Sequence, residues 1–170
     1  MPNRTDSILS QGMGKVKAMR ARLSGLIGVF KTLAEQHGGV IMLLERAKAS
    51  DQKFTELWPT IRRELLSHEQ AEMRELYPVL RAKEETRGLA EHHDTEANVL
   101  EQLINEIDRM VVGAPGRRHA FERLVNAVKH HAREEEHSVF PKAQEALGKG
   151  AAEVIESKLL ATKKQIIAMV

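Results

Sequence analysis

The sequence of 170 residues contains no cysteine and few aromatic side chains. Without cysteine the chain has no disulfide, no zinc finger, no thiolate-bound iron–sulfur cluster and no cysteine nucleophile, and this composition fits a reducing compartment. Aromatic residues make up 4% of the chain and apolar residues 42%. The core must therefore consist mostly of leucine, isoleucine, valine, methionine and alanine, which are compatible with helices, and the length suits one domain.

The chain also lacks long apolar runs and a strong excess of charge. No segment approaches the roughly 18 apolar residues of a membrane-spanning helix, and no charged-then-apolar leader opens the chain, so we expect a cytoplasmic protein without membrane association. The formal net charge is only +2. The basic stretch 15–22 has no interleaved aromatic residues and no DNA-reading motif, so we expect a solvated helix face and no nucleic-acid partner.

One motif occurs twice: His68-x3-Glu72-x5-Pro78 returns as His131-x3-Glu135-x5-Pro141. Eight histidines and 20 glutamates in 170 residues would give about one His-x3-Glu pair by chance, whereas the chain has four. The shared distance to a proline is harder to explain by chance, because the chain has only five prolines. A histidine and a glutamate four positions apart lie on one helix face, so each copy presents two metal-ligand atoms together.

Four long segments show the 3-4 spacing of buried helix positions. Each stripe is apolar except at one or two central positions, and every exception is a histidine or a glutamate. In chain order the exceptions are His37, then His68 and Glu72, then His93 and Glu96, then His131 and Glu135. The segments 33–45 and 89–101 also resemble each other and align His37 with His93. The pattern therefore indicates two related helical hairpins.

Helix-breaking residues separate the four stripes. Ser50 can cap the second helix, Gly88 is expected to close a charged turn before the third, and glycine and proline at 113–116 separate the third from the fourth. Pro78 and Pro141 should kink or end their helices. Because the loops are short, neighbouring helices should be antiparallel. We predict an all-α fold, an antiparallel up-down four-helix bundle with extra helical segments at both ends.

We expect three regions along the chain. Residues 1–24 form an N-terminal extension with a short amphipathic helix at 8–22, residues 25–147 form the bundle, and residues 148–170 form a C-terminal helix. Neither extension contains histidine. We assign both to packing or association, and they are the surfaces through which the chain could meet a second copy or a protein partner.

The polar positions on the core stripes indicate a metal site. A buried, unpaired carboxylate costs several kcal/mol, and a bound metal removes this cost. Mixed imidazole and carboxylate ligands without sulfur suit iron, manganese or zinc, and the six or seven candidates exceed the four ligands of a structural zinc. Two ions bridged by Glu72 and Glu135 would use all of them, with His37, His68, His93 and His131 shared between the ions.

Three positions leave alternatives open. His92 adjoins the third stripe and is an alternative to His93, because it can pair with Glu96 at i+4. Glu96 itself is a candidate extra metal ligand or an outer partner of a ligand. Glu69 follows His68 but lies off the stripe, so we expect a surface salt bridge there.

The ordered set of His37, His68-x3-Glu72, His93 and His131-x3-Glu135 resembles the hemerythrin-like (HHE) cation-binding family over about residues 25–147. The resemblance implies a four-helix bundle around two non-haem iron ions joined by an oxo or hydroxo bridge. It also implies a small diatomic ligand, oxygen or nitric oxide. Manganese and zinc are the other metals that these ligands would accept.

The chain departs from the oxygen-carrying hemerythrins at two places. Those proteins place paired histidines on the third helix and end the set with aspartate, whereas this chain has His93 with Glu96 and ends with Glu135. More carboxylate and less imidazole favours ferric iron, so we expect sensing of oxygen, nitric oxide or redox and iron state rather than reversible oxygen carriage. The alternatives are a di-iron enzyme with peroxide, nitric oxide or ferroxidase chemistry, and a metal-free helical interaction domain.

Overall fold

The computed structural model describes residues 25–169, which form helices joined by short loops and contain no strand. The helices are α1 (Gly28–Ala47), α2 (Asp51–Glu75), the short α3 (Tyr77–Arg81), α4 (Glu84–Asp108), α5 (Arg117–Glu134) and α6 (Phe140–Met169), with a π-helical turn (Glu135–Val139) before α6. Within this part of the chain, no helix is long and apolar enough to cross a membrane. The helix predicted at 8–22 lies outside the described residues.

The apolar interior of the bundle is divided into two clusters. The first cluster includes Leu33 of α1, Ala71 of α2, Ala90 of α4 and Phe140 of α6. The second cluster includes Leu44 of α1, Leu57 of α2, Leu103 of α4 and Leu124 of α5. Residue numbers therefore rise towards opposite ends in successive long helices. This alternation confirms the predicted antiparallel up-down bundle, and the polar residues of the four stripes lie between the two clusters.

Two helix starts show how local sequence determines the boundaries. Ser50 caps α2, and its hydroxyl accepts a hydrogen bond from the backbone N–H of Lys53 at 3.1 Å, as the sequence predicts. The predicted turn ending at Gly88 is wrong, because α4 already begins at Glu84 and contains Gly88. Lys83 is extended and is followed by two glutamates, whose charges favour the first turn of a helix. The helix therefore starts before the glycine.

Pro78 and Pro141 both interrupt a helix, as predicted. Helix α2 ends at Glu75, and Pro78 lies in the first turn of α3. Ahead of Pro141, α5 passes into the π-helical turn, where the N–H of Phe140 bonds to the carbonyl of Glu135. Proline has no N–H to continue the α-helical pattern, and π-helical turns often occur at functional sites.

Gly148 divides α6 at a left-handed φ of 77°. The part beyond it, residues 149–169, is called the C-terminal helix below, and it places Ile155 and Leu159 in the first apolar cluster. At the start of α1, a Cβ atom on Gly28 would lie 2.8 Å from the backbone carbonyl carbon of Ala152. Because that distance is shorter than van der Waals contact, glycine at this position allows the C-terminal helix to approach α1.

We expect Leu57→Ala to lower the free energy of unfolding of the metal-free protein by about 2–5 kcal/mol, because Leu57 is fully buried and its truncation leaves a cavity. Met73 is a matched control, since it is apolar but 47% exposed, and Met73→Ala should change stability by less than about 0.5 kcal/mol. Urea denaturation measures both. A Leu57 variant as stable as the unaltered chain would contradict the packing described here.

Candidate metal centre

Among the described residues, four histidines and three glutamates converge between the two apolar clusters. Their exposed fractions are Glu72 0%, Glu135 1%, His37 2%, His93 2%, His131 3%, His68 6% and Glu69 8%. The side chains come from α1, α2, α4 and α5 and from the π-helical turn, so no single helix forms the group. All of them were predicted metal ligands except Glu69.

The first half of the group contains His37, His68, Glu72 and Glu135, whose ligand atoms all lie within 4.8 Å of one another. The Nε2 atom of His37 is 3.1 Å from Nε2 of His68 and 3.1 Å from Oε2 of Glu135. The Nε2 atom of His68 is 3.4 Å from Oε2 of Glu72, its partner at i+4. These distances place two imidazoles and two carboxylates around one point.

The second half contains Glu69, Glu72, His93 and His131, again within 4.8 Å of one another. Nε2 of His131 is 3.2 Å from Oε1 of Glu69, and Nε2 of His93 is 3.5 Å from Oε2 of Glu69. Glu135 reaches this half as well, at 3.5 Å from Nε2 of His131. Glu72 and Glu135 are therefore shared between the two halves.

Several buried atoms of this group lack a hydrogen-bond partner within the described residues. They are Oε2 of Glu69, both carboxylate oxygens of Glu72, both ring nitrogens of His93, Nε2 of His131 and Oε2 of Glu135. Two ligands on one ion with bonds of about 2.1 Å lie roughly 3.0–3.4 Å apart, close to the separations observed here. The residues therefore fit metal cations, which would satisfy polar atoms that are otherwise costly to bury.

Three of the histidines are held from outside by a second polar group. Nδ1 of His37 is 2.9 Å from Oε1 of Glu136, and Nδ1 of His68 is 3.0 Å from Oε1 of Gln36. Nδ1 of His131 is 2.9 Å from Oε2 of Glu96. Each contact directs the opposite nitrogen, Nε2, into the centre, which is the arrangement typical of metal-binding histidines.

The contacts of Glu96 distinguish the alternatives left open on α4. Glu96 approaches His131 from the outer side, so it takes the position of an outer partner rather than a ligand. The side chain of His92 is 57% exposed and lies 3.7 Å from Glu96, outside the buried group. His93 lies inside it, so His93 rather than His92 faces the other candidate ligands.

Tyr77 supports the centre from the α3 side. Its ring stacks on the imidazole of His93, with centroids 3.5 Å apart and an interplanar angle of 19°. Its hydroxyl donates a hydrogen bond to Oε1 of Glu135. Burial and the charge of Glu135 raise the pKa of Tyr77 well above its usual value, so the phenol remains a donor. Tyr77 therefore restrains both a histidine and a shared carboxylate.

The same proximity shifts the pKa values of the metal-free group. Burial, together with the charge of Glu135, raises the pKa of Glu72 to about 7. Burial lowers the pKa of His93, but the nearby carboxylates of Glu69 and Glu72 outweigh this effect and raise it to about 10. Burial is likewise outweighed at His131, whose pKa lies well above its usual value because of Glu135 and Glu69. Without metal, protons supply the positive charge that the carboxylates require.

The prediction of a surface salt bridge for Glu69 is wrong. Glu69 is buried, and its carboxylate contacts His93 and His131 inside the bundle. The spacing contained a usable signal, since Glu69 and Glu72 are three residues apart and therefore lie on neighbouring parts of one helix face. The sequence also does not predict Gln36 as the partner of His68, or Glu136 as the partner of His37. Gln36 precedes His37 and Glu136 follows Glu135 in the sequence. Polar residues next to a buried position are usually solvated, so the sequence alone does not indicate these contacts.

We expect metal binding to release roughly two to three protons per chain near pH 7: one each from His93 and His131, whose rings are protonated in the metal-free protein, and a fraction of one from Glu72, whose pKa is about 7. The reason is that a ligand imidazole must be neutral and a ligand carboxylate must be ionised. Lowering the pH should therefore weaken metal binding. Calorimetric titration with zinc(II) in buffers of different ionisation enthalpy measures the number of protons released. Binding without proton release would contradict the charge distribution described above.

Comparison with known proteins agrees with this geometry. Residues 28–143 match the family described as the hemerythrin HHE cation binding domain, which is more than half of the chain. No curated protein and no solved structure matches the chain. The matched region includes every candidate ligand from His37 to Glu135. The chain therefore belongs to the hemerythrin HHE cation-binding family, as the order of its histidines and glutamates predicted.

Proposed function

We propose that the protein holds two iron ions inside the bundle. His37 and His68 would bind the first ion, Glu69, His93 and His131 the second, and Glu72 and Glu135 both. The observation that carries the proposal is the sharing of carboxylates. Glu72 belongs to both halves of the group, and Glu135 lies within 3.1 Å of His37 and 3.5 Å of His131.

The donor set is compatible with iron. Imidazole and carboxylate without sulfur suit iron in both its ferrous and ferric states, and three carboxylates offset much of the charge of two cations. The chain has no cysteine that would select a sulfur-bound metal instead. Manganese and zinc accept the same donors and are the alternative occupants that metal analysis distinguishes.

A bound pair of iron ions supplies redox chemistry and an affinity for small diatomic molecules. The chain's own residues enclose the ions, since each of the seven residues proposed to bind them is at most 8% exposed, and this enclosure favours a diatomic ligand over a bulky substrate. The first half offers two histidines and two shared carboxylates, whereas the second offers Glu69 in addition. The first ion would therefore keep more positions for an external ligand. We propose that the protein binds or senses oxygen, nitric oxide, or redox and iron state.

A specific contact favours enzymatic chemistry as the second candidate. The phenol of Tyr77 bonds to the shared carboxylate of Glu135, which places an oxidisable group beside the centre. If the protein turns over peroxide or nitric oxide, we expect Tyr77→Phe to lower the rate per bound iron. Peroxide consumption by iron-loaded protein, compared with that of a His119→Phe control, tests this candidate, because His119 is exposed on another part of the chain.

The main test of the proposal is the metal content and colour of the protein. Aerobically purified protein should contain about two irons per chain and absorb in the near ultraviolet, where charge transfer from oxygen ligands to ferric iron occurs. The His68→Ala, His131→Ala double variant removes one imidazole from each half and should lose most of the iron. His119→Ala is the control and should retain it. Elemental analysis and absorption spectra, before and after dithionite and oxygen, measure these outcomes.

A colourless, iron-free preparation that also fails to bind added ferrous iron would contradict the proposal. Equal iron content in the double variant and the His119→Ala control would mean that iron binds elsewhere. Stoichiometric zinc or manganese with no retained iron would keep the site but change its metal.

A further inference from the structure

Lys163 on the C-terminal helix is a buried cation on the outer side of the metal centre. Its residue exposure is 9%, although lysine is almost never fully buried without a partner. The ammonium group donates a hydrogen bond to Oε1 of Gln36 at 2.8 Å and forms an ion pair with Glu64 at 3.2 Å. These two contacts compensate the burial and hold the ammonium against α1 and α2.

Gln36 connects this lysine to a candidate ligand. The same Oε1 atom that accepts from Lys163 also lies 3.0 Å from Nδ1 of His68. An ammonium group can only donate, so it orients the carbonyl oxygen of Gln36, and not its NH₂ group, towards both partners. His68 must then donate from Nδ1. In the neutral imidazole, Nε2 then has no proton and faces the centre, which is the tautomer that a cation requires.

The position of Lys163 is determined by how the C-terminal helix docks. Thr162 donates a hydrogen bond to Glu75 at 2.6 Å, and Thr32 of α1 donates one to Glu156 at 2.5 Å. Leu159 and Ile166 on the same helix are buried in the first apolar cluster. The lysine therefore reaches Gln36 only while this helix lies against α1 and α2.

We propose that Lys163 is a positioning residue of the metal centre, acting through Gln36 on His68, and that docking of the C-terminal helix and metal binding stabilise each other. The inference rests on the proposed function, since it requires His68 to bind a cation. Coupling between two binding events is reciprocal. If docking of the helix increases the metal affinity by a given factor, bound metal increases the docking equilibrium constant of the helix by the same factor. The state of a buried centre would in this way change the stability of a surface helix.

The first experiment measures zinc(II) affinity by competition with a chelator, on the full chain. Lys163→Met keeps the length of the aliphatic stem and removes the charge, and we expect binding about tenfold weaker, the usual scale for losing an outer partner of a ligand. Lys164→Met is the matched control, because Lys164 is the exposed neighbour on the same helix, and it should bind zinc like the unaltered protein. Lys163→Arg, which still donates to Gln36, should recover much of the loss.

Two further measurements separate positioning from general stabilisation. In a double-mutant cycle, adding Lys163→Met to Gln36→Leu should weaken zinc binding little further, because the lysine acts through Gln36. The visible spectrum of cobalt(II)-loaded Lys163→Met should differ from that of the Lys164→Met control, since the orientation of His68 changes. Loss of stability alone would weaken binding without altering the spectrum of the loaded centre.

Hydrogen exchange of the amides at 149–169 tests the coupling in the unaltered protein, even if a variant fails to fold. Zinc should slow exchange there, and the slowing should shrink in Lys163→Met. The inference is overturned if zinc leaves this exchange unchanged, or if Lys163→Met binds zinc within twofold of the Lys164→Met control. Should the unaltered protein bind neither zinc nor iron, the proposed function itself fails; binding without coupling overturns only the role of Lys163.

Discussion

A layer of ionisable side chains lies at the middle of an otherwise apolar bundle, and the structure depends on compensating the charges of this layer. Four imidazoles and three carboxylates meet there among the described residues, and several of their atoms have no hydrogen-bond partner. Apolar clusters on both sides keep the layer at one level and separate it from water. Positive charge must therefore come from inside, either as protons on the histidines or as metal cations. The raised pKa values of His93 and His131 show the first solution, and the HHE family supplies the second.

The orientation of the layer depends on a second set of contacts around it. Glu136, Gln36 and Glu96 each face the outer nitrogen of one histidine. Tyr77 restrains Glu135, and Lys163 restrains Gln36. These residues come from separate helices, so the ligands are correctly oriented only when the bundle and the C-terminal helix are both assembled. Rigid support of this kind is what allows a metal site to bind tightly without reorganising.

The errors of the sequence-based predictions have physical causes. A single 3-4 stripe on α2 predicts Glu69 at the surface, because Glu69 lies beside that stripe. In the structure α2 is surrounded by α1, α4 and the C-terminal helix, so a wider arc of its surface is buried. Lys163 showed no signal of its role, since a lysine on an amphipathic helix is normally solvated. Gly88 was expected to end a turn, but the acidic residues before it favour helix strongly enough to include it.

Local periodicity located the long helices, their alternating directions and the level of the histidine and glutamate layer, because these properties follow from the 3.6-residue repeat and from short loops. The order of the histidines and glutamates on the four segments resembles the HHE family, and the family match over residues 28–143 confirms this resemblance. Packing alone distinguished His93 from His92 and brought Glu69 inwards. Adjacent residues on a helix point about 100° apart, and the neighbouring helices determine which direction is interior. The contact of Lys163 with Gln36 joins positions that are far apart in the chain, so it exists only once the C-terminal helix has docked.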